Sequence, residues 1–228
     1  MEAGTKVTQW QSGVYILIGI LVFGSIWGLS EVALGGGLSA ANFPYRSGLL
    51  TGIGMALMGM ALAIHKKPAM LIGIGLVAVL VKLIAVPILN ISVMCKANSC
   101  LAVFTSAVAL TLVAFLLMTE MGKSAHARMG SGALAAIIAS VGFYFIGMRV
   151  APCNYLLSFS PAGFIVTEGL IWAAFSAILL PLGYLAGLKL EAQIFPLLTR
   201  KMPVYYATTM ATVAICWGLS AIAIMSGL

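Results

Sequence analysis

Along this chain, apolar residues gather into stretches of about 20, the length a helix needs to cross roughly 30 Å of hydrocarbon. Seven such stretches lie near 13–34, 48–65, 69–90, 101–119, 132–150, 162–187 and 204–226. Polar and apolar residues do not alternate as they do in barrel strands. Lipid cannot satisfy free backbone polar groups, so each stretch is expected to be a helix. The expected fold is all-α: one transmembrane domain over residues 1–228, a polytopic bundle of six to seven transmembrane helices. The last stretch is the more polar in its first half, through Thr208, Thr209 and Thr212. It either crosses the membrane or lies at its surface.

Composition strengthens this reading. Of 228 residues, 62% are hydrophobic and only 7% charged, with a mean hydropathy of +1.14. A soluble domain carries roughly a quarter charged residues to keep its surface wet, so this surface must face lipid. The net charge of +7 comes from thinly spread Lys and Arg without interleaved aromatics, which argues against nucleic acid as a partner. These charges read as topology signals. One side collects Lys6, Lys66, Lys67, Lys123, Arg128, Lys189, Arg200 and Lys201, the other Arg46, Lys96 and Arg149. The asymmetry predicts a cytoplasmic N-terminus in a plasma (inner) membrane. The run from Val14 is too long for a signal peptide's apolar region, so no cleavable leader is expected. The segment 188–203 mixes apolar and basic residues; it suits either an amphipathic surface segment or a plain connector.

Three ionisable residues fall inside the spans: Glu31, Lys82 and Glu168. Each costs several kcal/mol at membrane depth unless paired or wetted. Counting helical rise places Glu31 about 5 Å, Lys82 about 12 Å and Glu168 about 9 Å from one membrane edge, all on the outer side. They are expected to share one polar chamber open to that side. A snorkelling Glu31, or a purely structural Lys–Glu clasp, is the competing expectation. Trp27 and Trp172 stand four residues from Glu31 and Glu168, a spacing that shares a helix face. Indoles there would cage a cationic or planar ligand, or simply pack.

The outer loops offer further candidates. "GGGLSAANFPYRSG", 35 to 48, combines glycines with Asn42, Tyr45 and Arg46, as a flap over a chamber would. "NISVMCKANSCL" and "RVAPCNYLLSFSPAG" follow on the same side, with Asn90, Asn154 and Ser158 able to orient a ligand without charge. Cys95, Cys100 and Cys153 also fall there, while Cys216 reads as a packing residue. In an oxidising compartment Cys95 and Cys100 could form a disulfide that stiffens the loop; thiolate ligation of a soft metal or metal-bearing cofactor by Cys95, Cys100 and Cys153 is the sharper alternative. His65 and His126 belong to the opposite side, which excludes a mixed Cys/His site across the membrane.

Small residues suggest helix contacts, above all Gly24 and Gly28 in a GxxxG step, first within this chain and alternatively against a partner subunit. "WGLS" occurs at 27–30 and again at 217–220, where Ala221 stands in the place of Glu31. No Ser–His–Asp set, HExxH or phosphate-binding glycine loop is present, and the chain has no aspartate. An enzyme, or a chain that hydrolyses ATP itself, is therefore not expected.

In layout, about six helices with an inside N-terminus, a small-residue first helix and a long flap after it, residues 13 to 190 resemble the substrate-binding S components of energy-coupling factor (ECF) transporters. The resemblance implies that Gly24 and Gly28 contact a partner helix. It also implies a ligand pocket around Glu31, Asn42, Lys82, Asn90, Asn154 and Glu168, lidded by the outer loops. The ligand would be a vitamin or metal-linked micronutrient, with a separate transmembrane coupling subunit and paired ATPases as partners. The seventh span exceeds the family's six-helix pattern. The alternative function is a non-catalytic membrane subunit of a larger redox or assembly complex, with Lys82 and Glu168 as a structural pair or proton relay.

Overall fold

The computed structural model describes residues 9–200 and 202–227, with side chains for 13–194 and 202–227. The chain is an all-α integral membrane protein, and seven of its helical segments are long and apolar enough to cross a bilayer. In chain order the elements are α1 (Gln9–Ala40), α2 (Arg46–His65), α3 (Met70–Leu83), α4 (Ala85–Leu89) and α5 (Met94–Lys123). Then come α6 (Ala125–Val150), α7 (Asn154–Leu157), α8 (Pro161–Phe164), a π-helical turn (Ile165–Gly169), α9 (Leu170–Arg200) and α10 (Met202–Met225).

The helices outrun the apolar stretches that predict them, because a helix need not stop where hydrocarbon does. α1 carries on to Ala40, so the glycines of 35–37 are helical and the expected flap shrinks to residues 41–45. α5 likewise begins at Met94, inside the second outer loop. Where helices do stop, local chemistry explains it. The third span breaks after Leu83 because Pro87 cannot donate an N–H and its ring crowds the carbonyl four residues back. Ser124 caps α6 by accepting from the Ala127 N–H, and Ser160 caps α8 by accepting from Gly163, with Pro161 in the first turn.

Six long elements close a ring: α1 packs on α3, α3 on α5, α5 on α6, α6 on α9, α9 on α2, and α2 back on α1. α10 lies outside this ring against α1. It is tied there by the Trp217 Nε1–H, which donates to the buried Ser25 Oγ at 2.9 Å. The seventh span is thus an addition to a six-helix body. The segment 188–203 runs as helix through Arg200; Lys6 and Lys201 lie outside the described residues.

Glycines set the ring's spacing. A Cβ on Gly28 would come within 2.5 Å of Val81 Cβ, and one on Gly24 within 2.5 Å of Val77 Cβ. The GxxxG step therefore seats α3 of the same chain, as packing within the chain requires, in place of the partner-helix contact that the resemblance implies for Gly24 and Gly28. Van der Waals contact drives such association in lipid, so the closest-approaching helices gain most.

Candidate functional site

Two polar clusters lie near the end of the bundle opposite the N-terminus, which we call the far face. The first joins α1 and α3. Lys82 Nζ donates to Glu31 Oε2 at 2.7 Å, with side chains 11% and 8% exposed. The Trp27 Nε1–H donates to the other carboxylate oxygen at 3.2 Å. Trp27 is 1% exposed, and its ring fits because α2 offers Gly54, where a Cβ would sit 2.5 Å from the indole. Sequence depth predicts this meeting of Glu31 and Lys82, and the i to i+4 spacing predicts the Trp27 contact.

The second cluster joins α2, α7 and the π-turn. The Ser47 hydroxyl donates to Glu168 Oε2 at 2.8 Å. Tyr155, from α7, stands beside the same carboxylate. Its phenol is raised above the ordinary value by burial first and then by the charge of Glu168, with Arg46 pulling the other way. Arg46 itself donates to Ser39 Oγ at 2.8 Å, stapling the end of α1 to the start of α2. Glu168 is half-buried and sits in a π-helical turn, a feature that recurs at functional sites.

The segment carrying Tyr155 is anchored to the bundle on both sides. Asn98 Nδ2 donates to the Ala151 carbonyl at 2.8 Å, and the Tyr144 hydroxyl to the Phe159 carbonyl at 2.9 Å. Tyr155 and Phe159 rest on Phe164, which is fully buried. This short helix is seated on an aromatic floor. Ser47 and Asn98 carry no sequence signal of their own, since lone small polar residues are common at helix ends. Tyr155 falls within a loop the sequence does single out.

Several expectations are corrected. Glu31, Lys82 and Glu168 do not share one chamber: the first two close on each other and the third turns to Ser47. An open apolar groove of about 310 Å³ lies between α3, α5 and the end of α6, and a second cleft between α1 and α10 has no room for a water. Neither is lined by any of the three charges. Trp172 does not follow the pattern of Trp27. It is 3% exposed, packs on Phe143 and Phe164, and its Nε1–H has no partner among the described residues. The two side chains find different neighbours, the indole in the aromatic cluster and the carboxylate at Ser47.

The remaining candidates serve the backbone. Asn42 and Asn90 are exposed and take left-handed conformations, with φ of 51° and 50°. Asn tolerates that region better than most residues. Asn154 opens α7 and accepts the Ser158 N–H through its carbonyl. Tyr45 is exposed and meets Phe43 edge-on.

All four cysteines are free, which corrects the expected Cys95–Cys100 disulfide. Both lie on α5, and residues five apart on a helix have Cα atoms about 8.7 Å apart, beyond disulfide reach. Among the described residues no three His, Cys or Glu side chains gather to hold a metal ion. No family model, curated protein or solved structure matches the chain.

Proposed function

We propose that the chain is a membrane transport subunit that captures a small solute at its far face, with Glu168 as the group that meets it. One observation supports this above all. A half-buried carboxylate accepts a hydroxyl from α2 and lies near enough to the α7 phenol for its charge to raise that group, with the Arg46 guanidinium next to the same hydroxyl along α2. That donor and acceptor set suits a small organic cation or zwitterion. Glu168 would take an ammonium group, Arg46 a carboxylate, and the Tyr155 ring a planar face. The short helix α7 would act as a lid, lifting to admit the ligand and settling over it.

On the S-component reading the ligand is a vitamin or metal-linked micronutrient. A coupling subunit and paired ATPases then supply the energy, and the N-terminus is cytoplasmic in the plasma membrane. The test is thermal unfolding of the detergent-solubilised chain against amine-bearing vitamins, other vitamins and divalent metal ions. A ligand at a hundred times its Kd adds about 2.7 kcal/mol of apparent stability. The proposal expects a saturable shift with at least one compound, lost in Glu168→Gln.

A second reading is favoured by the other cluster. Lys82 closes on Glu31 and not, as that reading expects, on Glu168, and this pair is what a structural clasp in a non-catalytic subunit of a redox or assembly complex would look like. A panel with no shift at all, together with co-purifying redox subunits, would favour that reading and remove the first.

A further inference from the structure

Arg128 poses a charge-balance problem at the face carrying the N-terminus. It is 8% exposed, its guanidinium lies over the Tyr184 ring at 5.1 Å, and its Nε has no hydrogen-bond partner among the described residues. A buried guanidinium without a counter-charge costs several kcal/mol. The chain has five carboxylate side chains to offer. Glu31 is held by Lys82, Glu120 by Lys123 at 2.8 Å and Glu191 by Lys66 at 3.7 Å. Glu168 belongs to the opposite face, and Glu2 lies outside the described residues.

Position narrows the identity of the missing anion. Arg128 is the fourth residue of α6, so it sits about 5 Å along the axis from the helix start, at the depth of a headgroup boundary. The positive end of the α6 dipole is beside it. The surrounding face is basic, with Lys66, Lys67, Lys123 and Lys189 exposed on it, which draws anionic headgroups. A guanidinium fork matches a phosphate better than any other side chain does. We infer that Arg128, seated on Tyr184, binds the phosphate of an anionic phospholipid from the leaflet at this face.

The experiment titrates the full chain, in neutral detergent, with phosphatidylglycerol, phosphatidylcholine or inorganic phosphate, and reads thermal unfolding. The expected result is a saturable rise with phosphatidylglycerol, at least about tenfold tighter than with phosphatidylcholine, and no comparable rise with free phosphate. Arg128→Gln brings the two lipids to near parity, while the exposed Lys189→Gln keeps most of the preference. If Arg128→Gln does not fold, Arg128→Lys replaces it; it keeps the charge without the fork and should cost about threefold or more in the preference. Four outcomes overturn the assignment: an unchanged preference in the Arg128 variant, equal losses in the Arg128 and Lys189 variants, an equal response to inorganic phosphate, or a stronger preference together with lower lipid-free stability in Glu2→Gln, which would make the counter-charge internal.

Discussion

At Glu31 the neighbouring indole donates to the carboxylate and Lys82 neutralises it, whereas at Glu168 the indole one turn away is buried without a partner among the described residues and the carboxylate turns to a hydroxyl. Both begin from the same ingredients, a glutamate with a tryptophan four residues off on a membrane helix. The difference lies in what the neighbouring helices bring. Beside Glu31, α3 supplies a cation and α2 supplies a glycine that lets the ring in. Beside Glu168, the ring packs on Phe143 and Phe164, and the Ser47 hydroxyl from α2 takes the carboxylate instead. A satisfied pair holds helices together; a carboxylate without a cation in contact is available to a ligand. The Trp217 copy of the "WGLS" motif makes the same point, since with Ala221 in the acidic place its indole goes to Ser25 on another helix.

The comparison breaks most sharply at Lys82. Lys82→Met leaves Glu31 buried and unpaired, so thermal unfolding should show a loss of about 3–5 kcal/mol. Adding Glu31→Gln should restore most of it, because no charge is then stranded. Were the double variant as unstable as the single, the clasp assignment would be wrong. Next in size is Gly54→Ala. Its Cβ would collide with the Trp27 ring, and overpacking of this kind costs about 1–3 kcal/mol. A Gly54→Ala protein as stable as wild type would mean the indole has room to move.

Smaller effects are expected around Glu168. Glu168→Gln keeps a hydrogen-bonding group in place, so stability should fall by less than about 1 kcal/mol, while any ligand-induced shift disappears. Tyr155 gives the smallest signal. Its folded value is raised above the ordinary 10, which favours the protonated phenol in the folded state. Its contribution is therefore full below about pH 10 and declines above it as the unfolded chain ionises. Alkaline unfolding of Tyr155→Phe should be less steep than that of wild type; identical profiles would detach Tyr155 from Glu168.

The sequence made the spans legible because 20-residue apolar runs have few other uses, and it made the Glu31–Lys82 meeting legible because depth can be counted at 1.5 Å per residue. Depth says nothing about azimuth. Glu168 lies at a similar depth yet faces another neighbour, the Ser47 hydroxyl. The cysteine pair and the glycine flap failed for a related reason: helices ran past the hydrocarbon edge, turning presumed loops into rigid rods. Ser47 and Asn98 were invisible because a single hydroxyl or amide gains meaning only from what packs against it.

The division of labour between the two carboxylates is tested most directly by identifying small molecules that co-purify with wild type, Glu168→Gln and the Glu31→Gln/Lys82→Met double variant, using mass spectrometry. A compound retained by wild type and the double variant but absent from Glu168→Gln is the predicted result. A compound that survives in Glu168→Gln and vanishes from the double variant would contradict it.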